Sequence, residues 1–155
     1  MAVEIERKFL VKNNAWRSLG EGCLYRQGYL PSQNHTTVRV RTVGDRGFLT
    51  IKGKNTGMSR LEFEYDIPLT DANELLATLC QLPLIEKYRY RIPWGDHLWE
   101  VDEFLGENQG LILAEVELKA ETEVIAIPDW IGLEVTNDPR YYNVNLASVP
   151  YCRWS

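Results

Sequence analysis

Hydrophobic and polar residues alternate along most of the chain, which is the pattern of half-buried β-strands. In VEIERKFLV, residues 3–11, Glu4, Glu6 and Lys8 share one face of the predicted strand, while Ile5 and Phe9 share the other. Further strands are predicted over 23–31, 36–43, 48–54, 58–68, 85–92, 97–104 and 111–119. GDRG at 44–47 predicts a hairpin turn between two of them. About eight short strands joined mainly by turns indicate an antiparallel sheet or barrel.

One segment has the helical period instead. In TDANELLATLCQLP, residues 70–83, Leu75, Leu79 and Leu82 share a face, and Asp71 with Glu74 resembles a capping box. Shorter helices are predicted over 121–127 and from Asp138-Pro139, an N-cap followed by a first-position proline. The helices are therefore few and short beside the strands.

The charged faces of the strands are sorted by sign. The acidic pairs are Glu4/Glu6, Glu62/Glu64, Glu100/Asp102 and Glu115/Glu117. The basic groups are Arg39/Arg41, Lys52/Lys54 and Lys87/Arg89/Arg91. A face that only meets solvent tends to mix signs, because like charges side by side repel. A role beyond solvation is therefore indicated.

A closed barrel with the charges inside accounts for both faces. One helix cannot cover the apolar side of eight strands laid flat, and a barrel of about eight strands has room inside for one small ligand. Carboxylate pairs suit a hard cation such as Mg²⁺, and converging arginines and lysines suit phosphate oxygens. The pattern predicts a metal–polyphosphate site. The alternative is a self-satisfied ion network, a weak stabiliser because desolvation offsets much of the attraction.

Composition narrows the class of protein. The 155 residues suit one domain, and the net charge of −5 argues against a general nucleic-acid binder. No apolar run approaches the roughly 20 residues of a membrane span, and the start of the chain does not resemble a secretory signal. Cys23, Cys80 and Cys152 are odd in number and far apart, which favours the reducing cytoplasm. The five tryptophans are expected to pack, although one at a barrel mouth could bind an organic group.

Several motifs in order along the chain resemble one family. EIERK at 4–8 resembles the ExExK signature of the CYTH superfamily, the triphosphate tunnel metalloenzymes. The series continues with RQGYL at 26–30, RVR at 39–41, TIKG at 50–53, RLEFE at 60–64, EKYRY at 86–90, WEVD at 99–102, AEVEL at 114–118 and RYYN at 140–143. The resemblance implies an eight-stranded antiparallel tunnel over residues 1–155 as a single domain. The chain is most similar to the short bacterial tripolyphosphatases.

The resemblance and the chemistry together assign roles. The expected metal ligands are Glu4, Glu6, Glu115 and Glu117, followed by Glu62, Glu64 and Asp102. The expected phosphate ligands are Lys8, Arg39, Arg41, Lys52, Lys87 and Arg89, followed by Arg60 and Lys54. Lys8, Glu4, Glu6 and Tyr29 are the candidate catalytic residues, with Tyr29 equally suited to packing in the tunnel wall. Two ions of Mg²⁺ or Mn²⁺ are expected with substrate bound.

The expected reaction is hydrolysis of tripolyphosphate, or another small triphosphate, to pyrophosphate and phosphate. Within the family, thiamine triphosphatase and class IV adenylyl cyclase are the alternatives, and a non-catalytic polyphosphate- or nucleotide-binding module is the alternative of another class. No nucleic acid or membrane partner is expected. An apolar outer face predicts a homodimer through residues Leu61, Phe63, Tyr65, Tyr88, Tyr90, Trp99, Val101, Val116 and Leu118.

Overall fold

The computed structural model describes residues 3–154, and nine strands in this range form one antiparallel sheet. The strands are β1 Val3–Val11, β2 Gly22–Leu30, β3 Thr37–Val43, β4 Arg46–Lys52, β5 Ser59–Ile67, β6 Ile85–Trp94, β7 His97–Phe104, β8 Ile112–Glu117 and β9 Ile131–Glu134. The predicted hairpin turn lies between β3 and β4, with Gly44 at a φ of +59°. The alternating segments are therefore strands, as predicted.

Strand β1 closes the sheet into a barrel. It pairs with β8 through Glu6–Leu10 and with β5 through Val3–Ile5. Around the barrel the order is β5-β4-β3-β2-β6-β7-β8-β1, and β9 is added beside the end of β1. The predicted fold, a mainly β, eight-stranded closed antiparallel barrel with a few short helices, is confirmed.

Helix α1, Leu69–Thr78, covers the outer faces of β3 and β4. Gly47 allows this close approach, since a Cβ atom there would lie 2.7 Å from Cβ of Ala72. The predicted capping box is wrong, because the helix begins earlier, with Pro68 at the N-cap and no side-chain cap. Asp71 instead lies in the first turn, where its negative charge interacts favourably with the helix dipole.

The C-terminal part of the chain packs around the barrel. The helix predicted over 121–127 is wrong: these residues have no helix, and Ile125 packs against the outer barrel surface. The predicted cap at Asp138 is confirmed, because its Oδ1 accepts a hydrogen bond of 3.1 Å from the backbone amide of Arg140. A short 3₁₀ turn, Pro139–Tyr141, follows, and then helix α2, Asn143–Ser148.

The apolar outer face is covered more fully than the sequence predicts. Trp99, Val101, Val116 and Leu118 are buried, because residues 15–18, the 119–130 loop and β9 pack over them. These four residues, predicted to lie in a dimer interface, belong to the core instead. The outer face of β5 remains uncovered, together with its neighbours on β1 and β4. The exposed apolar residues there are Val3, Ile51, Leu61, Phe63 and Tyr65.

Among residues 3–154, no helix is both long enough and apolar enough to span a membrane.

Candidate active site

The charged face of the sheet surrounds a cavity of about 440 Å³ inside the barrel, called the lumen below. All but two of the predicted site residues line it. They are Glu4, Glu6, Lys8, Tyr29, Arg39, Arg41, Lys52, Arg60, Glu62, Glu64, Lys87, Arg89, Glu115 and Glu117. Charged side chains that a flat sheet would present to solvent thus lie together in one small volume.

The order of the strands divides the lumen into two walls. Strands β7, β8, β1 and β5 are neighbours and supply all the lumen carboxylates, and they form the acidic wall. The basic wall is formed by the other four neighbouring strands, β6, β2, β3 and β4. Its lysines and arginines come from β6, β3 and β4. Lys8 and Arg60 are the cations on the acidic side. In the basic wall, β2 presents only the uncharged Tyr25 and Tyr29 to the lumen.

The acidic wall concentrates negative charge. Glu6 and Glu117 are direct cross-strand neighbours on β1 and β8. Withdrawal from solvent, then the nearby charges of Glu115 and Glu4, raise the pKa of Glu6 to about 8. Desolvation also raises the pKa values of Glu4 and Glu117. These carboxylates would hold their charge more easily with a cation between them, so the donor set fits a hard divalent metal.

A metal at this wall would need ligands besides the protein. Within residues 3–154, no group of three or more His, Cys, Asp or Glu side chains is arranged to hold an ion by itself. Mg²⁺ ordinarily keeps several waters and uses one or two carboxylates together with substrate phosphates. The acidic wall matches this mode of binding better than a preformed protein cage.

The basic wall concentrates positive charge. Burial, followed by the nearby charges of Arg39 and Arg89, lowers the pKa of Arg41 to about 10. Burial likewise lowers the pKa of Lys87 to about 7, against the raising effect of Asp102. An anion in the lumen would relieve this repulsion, and guanidinium groups match phosphate oxygens in geometry.

Tyr25 separates two arginines of the basic wall. The guanidinium carbons of Arg41 and Arg89 each lie 5.0 Å from the centre of its ring. Arg41 comes from β3 and Arg89 from β6, which flank β2 on either side. The ring therefore stabilises two like charges that would otherwise repel across the strand.

Ion pairs within the acidic wall and between the two walls neutralise only part of the charge. Lys8 pairs with Glu115 at 3.1 Å, and Lys52 with Glu4 at 3.2 Å. In the described part of the chain Glu6 and Glu117 make no ion pair, and the buried Nε of Arg41 has no hydrogen-bond partner. The lumen is thus not a self-satisfied network, which was the alternative from sequence.

Two predicted site residues do not line the lumen. Lys54 is exposed, because β4 ends at Lys52 and the chain turns away. Asp102 is buried beneath the wall, where its oxygens accept from Arg89 at 2.7 and 2.8 Å and lie 2.8 Å from Nζ of Lys87. Both oxygens of Asp102 are thus engaged by cations, and Asp102 orients the side chains of Arg89 and Lys87.

Sequence reasoning missed part of the lining. Arg91 and Glu100 belong to the charged faces recognised in the sequence but have no predicted role in the site, and both line the lumen. Tyr142 and Asn143 line the lumen from the C-terminal segment, where the RYYN resemblance was the one signal in the sequence. The C-terminal segment also closes one end of the lumen. At that end, the inward-facing residues of β6, β7 and β8 are apolar instead of charged, and they pack with α2. This cluster includes Ile85, Phe104, Leu113, Tyr141 and Leu146.

The fold and the charged lumen agree with comparisons to known proteins. The model of the CYTH domain matches residues 2–148. The chain is 56% identical to an inorganic triphosphatase of Acetivibrio thermocellus over 97% of both chains, and 40% identical to one of Nitrosomonas europaea over 95% of this chain and 99% of that one. A crystal structure of an inorganic triphosphatase matches with a TM-score of 0.67 and 35% identity over 92% of this chain and 96% of that one. The chain belongs to the CYTH domain family.

Proposed function

We propose that this protein hydrolyses inorganic triphosphate to pyrophosphate and phosphate inside the barrel. The observation that supports this most strongly is the division of the lumen into an acidic and a basic wall. A chain of phosphates carries the negative charge that complements the basic wall, and its bound metal carries the positive charge that complements the acidic wall. The inorganic triphosphatases to which the chain is 56% and 40% identical support the same reaction.

In this proposal the basic wall holds the phosphates. Arg39, Arg41, Lys52, Lys87 and Arg89 donate hydrogen bonds to phosphate oxygens and neutralise the charge that builds up during transfer. Lys8, beside Glu115, reaches the lumen from the opposite side. Positioning and charge neutralisation are the main demands of phosphoryl transfer, so no covalent protein intermediate is required.

The carboxylates Glu4, Glu6, Glu115 and Glu117 would hold one or two divalent ions, Mg²⁺ or Mn²⁺, with Glu62 and Glu64 next to them. When bound, such ions polarise phosphate oxygens and lower the pKa of a coordinated water. A carboxylate of the acidic wall would orient the water that attacks a terminal phosphorus, whose bond to the bridging oxygen then breaks and releases pyrophosphate.

None of the five tryptophans, all of which lie within the described residues, lines the lumen. The tyrosines that line it include Tyr25 and Tyr142, whose rings already contact cations of the lumen, and this favours inorganic triphosphate over the thiamine triphosphatase and adenylyl cyclase alternatives.

A substrate panel tests the function. Tripolyphosphate, thiamine triphosphate, ATP and pyrophosphate are compared with Mg²⁺, Mn²⁺ or EDTA. Tripolyphosphate should turn over much faster than ATP, and EDTA should abolish turnover. Comparable turnover of ATP would contradict the inorganic assignment, cyclic AMP would identify a cyclase, and metal-dependent binding without phosphate release would identify a binding module.

We also propose that the protein forms a homodimer through the exposed apolar surface of β1, β4 and β5. Val3 is the cross-strand neighbour of Leu61, and Ile51 that of Phe63, so these exposed apolar side chains adjoin one another on the three strands. Light scattering should give twice the mass of the chain, and Phe63→Lys should give a monomer. A monomeric wild type at micromolar concentration would contradict the proposal.

Two broader expectations remain proposals. Residues 1–155 are proposed to form a single domain, since the family model matches 2–148 and the described strands share one barrel. A cytoplasmic location is proposed because Cys23, Cys80 and Cys152 are unpaired in the structure.

A further inference from the structure

We infer that Gln27 on β2 and Asn143 on α2 are positioning residues that fix the hydroxyl of Tyr29 as a hydrogen-bond donor to a phosphate oxygen in the lumen. The inference rests on the proposed function for the chemistry of the ligand, a chain of phosphates. Its basis is a set of hydrogen bonds that begins at Lys87 and ends at Tyr29.

Lys87 fixes the orientation of the Asn143 amide. Nζ of Lys87 lies 2.9 Å from Oδ1 of Asn143 and 2.8 Å from a carboxylate oxygen of Asp102. In its charged form, which Asp102 favours, Lys87 has donors and no acceptor, so Asn143 turns its oxygen, and not its NH₂ group, toward Lys87.

Asn143 in turn fixes the amide of Gln27. The same Oδ1 lies 3.3 Å from Nε2 of Gln27. Rotating the Gln27 amide by half a turn would place two oxygens against each other, so Nε2 must face Asn143. This leaves Oε1 of Gln27, a fully buried residue, without a partner in the described structure. An unpartnered buried acceptor is unfavourable, and the contact with Asn143 accounts for its orientation.

Gln27 then determines the role of Tyr29. Nε2 also donates to the Tyr29 hydroxyl at 3.0 Å, so the hydroxyl accepts there and its own hydrogen is free for another acceptor. Tyr29 lines the lumen from β2, the strand of the basic wall that presents no charged side chain there. Burial raises the pKa of Tyr29, so the hydroxyl keeps its proton at neutral pH. A phosphate oxygen is the acceptor that this position would meet.

A double-mutant cycle tests the connection between Gln27 and Tyr29. Tyr29→Phe should lower kcat/KM for tripolyphosphate by about 10- to 100-fold, the range for loss of one hydrogen bond to a charged group. Gln27→Met should lower it by roughly 3- to 10-fold alone, yet by less than about 2-fold in the Tyr29→Phe background, because residues in one network are not additive. Effects that multiply would overturn the inference.

Gln27→Glu provides an isosteric second variant. A carboxylate at this position can only accept while it is ionised, so it would take the Tyr29 hydrogen away from the lumen. Activity should then fall about as far as in Tyr29→Phe, and Gln27→Glu should add little to Tyr29→Phe. Burial can keep this carboxyl protonated, so activity is measured from pH 6 to pH 9, and wild-type activity of Gln27→Glu throughout that range would contradict the inference.

Asn143 has a conservative variant and a matched control. Asn143→Asp keeps an oxygen toward Lys87 and Gln27 and should retain more activity than Asn143→Leu. Asn145→Leu alters the same helix two residues on, where the side chain donates to the carbonyl oxygen of Pro139, and should stay within about 2-fold of the wild type. Equal losses in Asn143→Leu and Asn145→Leu would show that Asn143 only stabilises the helix.

Calorimetric affinity for tripolyphosphate in EDTA separates this inference from the proposed function. Non-additive affinities in the Gln27/Tyr29 cycle support the network even if no phosphate is released. Additive affinities overturn it even if turnover is fast.

Discussion

At the residue scale, Tyr25 shows how one aromatic ring can hold two like charges in place. Its ring lies 5.0 Å from both Arg41 and Arg89. Tyr25→Phe keeps the ring and should leave the KM for tripolyphosphate within about 2-fold of the wild type. Tyr25→Leu removes the ring and should raise KM by about 5- to 30-fold, the equivalent of two partly exposed cation–π contacts. Equal KM values for the Phe and Leu variants would contradict this role.

For Asp102, the position in the structure disagrees with the role that the charge pattern of the sequence predicts. The sequence groups it with the metal ligands, but its oxygens accept from Arg89 and lie against Lys87. Asp102→Asn should therefore weaken tripolyphosphate binding by about 10-fold or more, since it removes a charged partner from two phosphate ligands. The Mg²⁺ concentration for half-maximal activity should not change. A higher Mg²⁺ requirement with unchanged KM would instead identify Asp102 as a metal ligand.

At the scale of elements, β1 and β8 place the carboxylates of Glu6 and Glu117 side by side, which has a consequence for pH dependence. Folding raises the pKa of Glu6 from 4.5 to about 8, so the metal-free folded state holds a proton that the unfolded chain releases. The stability tied to this group is complete below pH 4.5 and declines as the pH rises through about 8.

Glu6→Gln should remove this part of the pH dependence. In EDTA, raising the pH from 6 to 9 should lower the melting temperature of the wild type relative to that of Glu6→Gln by several degrees. The lowered pKa of Lys87 acts in the opposite direction but is common to both proteins, so the difference between them reports Glu6. Glu103→Gln, on the outer face beside Arg17, is the matched control and should follow the wild type. Parallel curves for Glu6→Gln and the wild type would contradict the raised pKa.

The elements themselves show what the sequence can predict. Alternation identified the eight barrel strands because each has one face toward the lumen and one toward packed or exposed apolar surface. It did not predict the four-residue β9, which lies beside the end of β1. The helical period identified α1 for the same local reason. The helix predicted over 121–127 is wrong because Ile125 packs against the barrel while Val124 and Ile127 are exposed, so the segment has no apolar face of helical period. Its conformation depends on tertiary contacts that local pattern does not contain.

At the scale of the whole molecule, the sequence predicts which strands are acidic and which are basic, but pairing decides where they meet. Neighbours along the chain, such as the basic β4 and the acidic β5, lie on opposite sides of the division between the walls. Likewise, Asn143 reaches the lumen only because the chain returns to close one end of it. Long-range pairing, which no local pattern encodes, thus creates the two walls.

The two walls predict a separation of kinetic effects that one experiment can measure. Glu117 makes no ion pair among the described residues, so Glu117→Gln leaves no buried cation without a partner. Arg41→Gln removes a cation that makes one ion pair within residues 3–154, at 3.6 Å from Glu64. Activity of both variants and the wild type is measured over a grid of Mg²⁺ and tripolyphosphate concentrations.

Glu117→Gln should raise the Mg²⁺ needed for half-maximal activity by about 10-fold or more, with little change in KM at saturating Mg²⁺. Arg41→Gln should raise the tripolyphosphate KM by a similar factor, with little change in the Mg²⁺ requirement. If Glu117→Gln keeps the wild-type Mg²⁺ requirement, or both variants shift the same parameter equally, the lumen is not divided into a metal wall and a phosphate wall.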